Sequence, residues 1–352
     1  MLKKRIIEHI QHFGPMRVRT FQDIALFDSK AGYYSSSLII GRQGDFITSP
    51  EISQIFGEIL ALSIVNHWHI MGCPSDVLIA ELGPGRGALM ADILRTFKQF
   101  PDFYQTIQVY LVEVCPALIR EQKHVLGDSV THVPSLTVVP EADVTFIVAN
   151  EFFDALPIEQ FVVDPKTKTK EHRLIDYNDI DGLHFSDGHH FRVNEKKAFI
   201  IETSEASLAC ADKIKRRLSQ GRGMAVIIDY GDDCEKNGRE NDLGEKNAGE
   251  NNRVGDTLQA VWKHQRVSLF DHIGQADLSH HVDFAALRRA FEPLKTTLMT
   301  QGDFLVQNGI YERTEQLVQR HPEHASDLRL SSSRMIAPSA MGSLFKVFTV
   351  IH

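Results

Sequence analysis

The chain has 352 residues, 43% hydrophobic and 24% charged, with a formal charge of −8 and a pI of about 6.1. That balance excludes wholesale disorder and collagen-like repeats, and it denies the chain a global basic field for gripping nucleic acid. No run reaches the roughly 18 apolar residues of a membrane span, and the length suggests two domains or one elaborated domain.

Residues 1–70 read as mainly helical. Leu2, Ile6, Ile10 and Phe13 form a helical stripe that Gly14-Pro15 ends, and a second helix is expected over 18–27. The apolar run near the N-terminus is broken by Glu8 and His9, so it is neither a secretory core nor a transit peptide, and a cytosolic location is expected. Thr48-Ser49-Pro50-Glu51 is a helix start: Ser49 can cap, Pro50 suits the first helical position, and Glu51 suits the positive end of the dipole.

From residue 77 the pattern changes to strands alternating with helices. Strands are expected at 77–82, 108–113, 135–139, 144–149, 224–230 and 344–351, with helices at 87–99 and 117–126. Runs apolar on both faces fit buried parallel strands, so the fold class is α/β, a doubly wound Rossmann-like sheet. About 75 residues separate the strands at 144–149 and 224–230, too many for a simple crossover. Within them 160–163 and 171–176 alternate like antiparallel strands and 195–219 looks helical. The expected organisation is a core of 71–158 and 222–352, an inserted cap of 159–221, and a contribution to the cap from 1–70 and 270–335. Residues 232–254 differ: 19 of these 23 are Asp, Glu, Lys, Arg, Asn or Gly, and Glu235–Asn241 is echoed by Glu245–Asn251. Such a segment has too little apolar surface to offset ordering, so a disordered surface insert is expected.

The most informative stretch is Glu81-Leu82-Gly83-Pro84-Gly85-Arg86-Gly87-Ala88, between a strand and a helix. Gly83, Gly85 and Ala88 satisfy a dinucleotide fingerprint, whereas Glu81, Gly83, Gly85 and Gly87 satisfy the acid-glycine turn of methyltransferases that use S-adenosylmethionine. An ordinary glycine-rich turn is the bland alternative. Context favours the methyltransferase pattern. Glu81 can face a cationic group, and Glu113, ending the next strand, can accept from ribose hydroxyls. Glu113 would also suit NAD, but the chain offers no second βαβαβ half. The strand at 144–149 runs into Asn150-Glu151-Phe152-Phe153-Asp154-Ala155-Leu156-Pro157. In a doubly wound sheet this tip faces the same crevice as the glycine turn. Methyl transfer from a sulfonium needs positioning and charge control, and two carboxylates in one loop suit a cationic guanidinium acceptor. The competing reading makes Asn150 and Asp154 turn caps and packs Phe152 and Phe153 in the core.

With these motifs in order, the chain resembles the MidA-like family of S-adenosylmethionine-dependent methyltransferases, relatives of the mitochondrial complex I assembly-factor arginine methyltransferase. The resemblance includes Gly32-Tyr33-Tyr34, Gly44 to Gln54, Phe56-Gly57-Glu58, Glu81 to Gly87 and Asn150 to Pro157. It continues through Ile228-Asp229-Tyr230-Gly231, Gly255 to Ala260, Ala276 to Ser279, His281 to Phe284, and Gln301-Gly302 with Phe304-Leu305. It implies a class I methyltransferase fold with an added domain, S-adenosyl-L-methionine as cofactor, and a protein-arginine acceptor in a complex I subunit that becomes symmetric dimethylarginine. By that resemblance Glu81, Gly83, Gly85, Gly87 and Glu113 bind the cofactor. Gly44, Asp45, Thr48, Pro50 and Glu51 close over its methionine end, while Asn150, Glu151 and Asp154 face the acceptor. The chain departs from the family pattern at the 232–254 insert, at Ala88 where the family often has Thr, and at residues 271–275.

Four scattered cysteines and seventeen histidines lack zinc-knuckle or HExxH spacing, so no metal is expected. Two alternatives stay open: an assembly chaperone with a structural S-adenosylmethionine site, and a methyltransferase for another acceptor.

Overall fold

Five apolar residues and Glu81 make the strand Val77–Leu82, in which every position is buried. A computed structural model describes residues 1–35, 49–163, 169–186, 199–233 and 253–352. Gly44, Asp45, Thr48 and residues 234–252 of the expected insert lie outside the described residues, as does the Glu51 side chain.

The main sheet runs in the order Lys295–Thr300, Phe345–Ile351, Arg222–Asp232, Val144–Asn150, Val77–Leu82, Ile107–Val112, Thr131–Val133. The five strands from Arg222–Asp232 to Thr131–Val133 pair in parallel, Phe345–Ile351 and Lys295–Thr300 pair antiparallel, and Val282–Asp283 joins Arg222–Asp232 off this path. The α/β doubly wound reading therefore holds. Registers set the geometry of the ligand edge: Leu82 lies opposite Val112 on one side and Ala149 on the other, and Ile228 lies opposite Asn150. The glycine turn, Glu113 and the Asn150-Glu151 tip thus leave the same edge of the sheet.

One compact unit holds this sheet and comprises Ile47–Phe153, Ala211–Gly231 and Arg288–His352. Its core joins Phe97, Phe103 and Phe146 with the helix Gln54–Ile70, which buries Ile55, Phe56, Ile59, Leu60 and Ile64. Full burial of each large apolar side chain contributes about 1.5–3 kcal/mol. Ser53, not Ser49, caps this helix, accepting from the Ile55 N–H at 3.3 Å. Ser49 begins the short helix Ser49–Ile52, and its hydroxyl instead donates to Gln301 Oε1 at 3.1 Å.

The second unit comprises Met1–Phe46, Asp154–Cys210 and Asp232–Leu287. Residues 1–70 are thus shared between the two. The helix Leu2–Phe13 buries Leu2, Ile6 and Ile10 as their spacing predicts, but Phe13, in the last turn before Gly14, is exposed. Glu159–Val163 pairs antiparallel with Lys170–His172 and with Phe199–Thr203. The strand Phe199–Thr203 corrects the helix expected from residue 195; the β-branched run Ile200-Ile201 pairs in the sheet, and the helix Glu205–Gln220 starts only after Ser204, whose hydroxyl accepts from the Ser207 N–H. The strand expected at 135–139 is likewise replaced. Pro134 ends Thr131–Val133, and Leu136–Val138 is a 3-10 turn capped by Ser135.

Candidate functional site

The glycine turn works because its backbone enters the left-handed region three times. Gly83, Gly85 and Gly87 have φ of +62°, +54° and +83°. A side chain at any of them would be strained. The turn is also internally tied. The Gly83 N–H donates to the Val112 carbonyl at 3.2 Å and the Gly87 N–H to the Pro84 carbonyl at 2.8 Å. Gly87 then serves as the N-cap of the helix Ala88–Phe97. The first N–H groups of that helix have no partner within it, and together with the dipole they make the turn attractive to electronegative atoms.

Glu81 lies two residues before Gly83, 2% exposed. Its Oε2 is buried with no hydrogen-bond partner among the described residues. Desolvation pushes its carboxyl up to about 8. On the neighbouring strand Asn150 donates through Nδ2 to Glu151 Oε1 at 3.3 Å, while its Oδ1 is buried without a partner among the described residues. Two buried acceptors at adjacent strand ends need donors, and leaving each unmade costs about 1–3 kcal/mol. Glu113, half-buried, is differently placed. Its Oε1 accepts from the Val114 and Cys115 N–H groups at 2.8 and 2.7 Å. Burial raises its pKa and these donors oppose the rise. The next residue, Val114, is 68% exposed, an apolar surface at the lip of the sheet edge.

The Asn150-Glu151 tip is built under strain. Glu151 has φ +48°, and its N–H donates to the Ile228 carbonyl at 2.8 Å. Asp229, fully buried on the strand Arg222–Asp232, accepts from the Phe153 N–H at 3.0 Å and the Tyr230 N–H at 2.9 Å. Phe153 is a core residue with no exposure, which decides one of the two readings of the Phe pair. Phe152 is half-buried and sits against the glycine turn so closely that a Cβ on Gly83 would lie 2.6 Å from its Cδ2.

The sheet unit therefore brings Glu81, Gly83, Gly85, Gly87, Glu113, Asn150 and Glu151 to one edge, with the backbone of Pro50 and Glu51 in the same unit. Asp154 belongs to the second unit, where its carbonyl accepts from the His280 N–H at 3.1 Å. Sequence reasoning gave no role to Asp229, although it stands in a quoted motif. It also missed Gln122, which is fully buried on the helix Pro116–Leu126 and donates to the Gly85 carbonyl at 2.6 Å. A polar residue in the middle of the buried Leu118, Gln122, Leu126 stripe was the available signal.

The edge suits a ligand that is cationic at one end and carries hydroxyls further along. Glu81 Oε2 and Asn150 Oδ1 are buried acceptors without a partner among the described residues, Glu113 puts a carboxylate at the end of the next strand, and a Cβ on Gly85 would meet no described atom within 4 Å. A cationic end and hydroxyls are groups of S-adenosyl-L-methionine, and the residues fit it.

Comparison with known proteins agrees with this chemistry. Residues 59–300 match the family described as "Putative S-adenosyl-L-methionine-dependent methyltransferase". The chain is 30% identical over 394 residues to protein arginine methyltransferase NDUFAF7, mitochondrial, of Danio rerio, covering 100% of this chain and 88% of the relative. It is 30% identical over 389 residues to the Drosophila melanogaster homolog, covering 98% and 83%. A solved Burkholderia thailandensis protein bound to S-adenosyl-homocysteine superposes with a TM-score of 0.81 at 21% identity, covering 100% of this chain and 92% of that one. At that identity the likeness is one of fold.

Proposed function

The chain belongs to the family of S-adenosyl-L-methionine-dependent methyltransferases, with S-adenosyl-L-methionine as methyl donor, and from that premise we propose that its acceptor is an arginine in a protein. The proposal extends to a core subunit of respiratory complex I as the substrate, methylated during assembly to symmetric dimethylarginine in the cytosol. The relatives' names support the arginine acceptor, the motif resemblance the complex I subunit and the symmetric product, and the broken apolar run near the N-terminus the cytosolic location.

The observation that carries it is the Glu151 carboxylate, set in a left-handed backbone conformation beside the glycine turn and held by the Asn150 amide. When bound, S-adenosyl-L-methionine supplies an electrophilic methyl group on a sulfonium. Glu81 and Asn150 would hold its ammonium and Glu113 its ribose, beside the open face of Gly85. Gly44, Asp45, Thr48, Pro50 and Glu51 are assigned to the methionine end by motif. Glu151 holds the guanidinium by charge-assisted hydrogen bonds, orients one nitrogen, and takes the proton that this nitrogen sheds. Asp154 is assigned as a second acid from the sequence alone.

The test is incubation of the purified protein with methyl-labelled S-adenosyl-L-methionine and lysate of a strain lacking the gene, followed by mass spectrometry. Label on an arginine of a complex I subunit is expected. Glu151→Gln should lower kcat by about 100-fold or more while leaving S-adenosylhomocysteine affinity within about twofold. Label on another residue type replaces the acceptor. No label despite cofactor binding overturns the enzyme reading in favour of an assembly chaperone.

A further inference from the structure

Gln122 is an expensive choice for the inside of a helix. It lies fully buried between Leu118 and Leu126 on the apolar stripe of Pro116–Leu126. Its Nε2 is 2.6 Å from the Gly85 carbonyl and 3.4 Å from Glu113 Oε2. Two acceptors on that side dictate the orientation of the amide, because a flipped group would set oxygen against oxygen. The consequence is that Oε1 is buried with no hydrogen-bond partner among the described residues. A methionine would fill the same volume without an orphaned acceptor but would give up both donated bonds, so the amide is kept for the two elements it ties together.

The approach of the helix is equally specific. A Cβ on Gly87 would lie 3.2 Å from Leu126 Cδ1 and 3.4 Å from Gln122 Cγ. Gly87 thus lets the helix come close enough for Gln122 to reach the turn. One amide then ties together the middle glycine of the turn and the carboxylate of the next strand, two elements 28 residues apart along the chain. Glu113 is left with Oε1 pinned by two backbone donors and Oε2 oriented by Gln122.

We propose that Gln122 is a positioning residue for the cofactor: by spanning the Gly85 carbonyl and the Glu113 carboxylate it sets the distance and orientation between the turn and the ribose acceptor, at the expense of its own unsatisfied oxygen. This rests on the assignment of Gly85 and Glu113 to the cofactor. The Gln122 amide is spent on Gly85 and Glu113, so its effect falls on binding rather than on the chemical step.

The test uses the full chain, with S-adenosylhomocysteine as the probe in calorimetry and thermal unfolding measured without ligand. Gln122→Met removes the orphaned oxygen but also both donated bonds, so its unfolding temperature without ligand is expected to stay close to the wild type's. Its Kd for S-adenosylhomocysteine is expected to rise about tenfold, with KM for S-adenosyl-L-methionine rising in parallel and kcat within about twofold. Gln122→Glu keeps the size but loses both donated bonds, and its carboxylate faces Glu113, so its affinity should fall further. If Gln122→Met does not fold, Gln122→Leu, which also lacks the donor and adds no charge, carries the test. Unchanged affinity in the variant that folds overturns the proposal, as does an affinity loss accompanied by an equal loss of stability. Glu113→Ala separates the two layers of the argument. If it weakens binding while the Gln122 variants do not, the positioning role alone fails. If it too leaves binding unchanged, the assignment of Glu113 fails and takes the positioning role with it.

Discussion

Replacing Glu81 by glutamine tests the electrostatics of the sheet edge. Burial pushes the Glu81 carboxyl up to about 8 in the ligand-free protein, against 4.5 for an unperturbed glutamate. Between those two values the unfolded chain releases a proton that the native protein retains. The contribution of Glu81 to native stability is therefore fully present below about pH 4.5 and is lost as pH rises toward 8. At about 1.4 kcal/mol per pH unit, the loss reaches about 3 kcal/mol at pH 7. Glutamine matches the protonated carboxyl in size and carries no charge to desolvate. The variant should match the wild type at acidic pH and be the more stable by about 3 kcal/mol at pH 7. Urea unfolding of ligand-free protein at several pH values reads this difference. Binding reverses the sign, because an ammonium beside Glu81 favours the carboxylate. At pH 7 the ligand-free carboxyl is about nine-tenths protonated, so S-adenosylhomocysteine should release close to one proton on binding. Calorimetry in buffers of unlike ionisation enthalpy measures that release, and Glu81→Gln should abolish it and weaken binding. A stability difference independent of pH, or binding without proton release in the wild type, would refute the reasoning.

Two further outcomes follow from the same edge. Gly83→Ala puts a Cβ 2.6 Å from Phe152 at a φ of +62°, so it should lower stability by about 1–3 kcal/mol and weaken S-adenosylhomocysteine binding, with Phe152→Ala recovering part of both. Asp229→Ala leaves the Phe153 and Tyr230 N–H groups without their carboxylate, and should cost about 2–4 kcal/mol in urea unfolding while lowering methyl transfer through loss of the Glu151 backbone geometry.

The alternation of strands and helices, the glycine turn and the acid at the end of the next strand were legible because each depends on neighbours in sequence. Val77–Leu82 is buried on both faces and reads as such. The helix expected over 195–219 failed at its start because the strand partner of Phe199–Thr203 is Glu159–Val163, some forty residues away, and no local pattern announces that pairing. Ser49 looked like a cap, but its hydroxyl finds Gln301, which is 252 positions distant in the chain.

By itself the sequence determined the fold class, the cofactor and most of the residues that share one edge of the sheet. Glycines at a strand end and carboxylates at the tips of buried strands are local patterns, and the order of strands along the chain places them together. Only the tertiary structure decided which groups hold that edge in shape. Gln122 beneath the turn, Asp229 under the loop and Phe152 against Gly83 act through contacts whose partners lie 37, 76 and 69 positions apart. Hydrogen bonding and packing act over a few ångströms in space, and folding alone brings those pairs within reach.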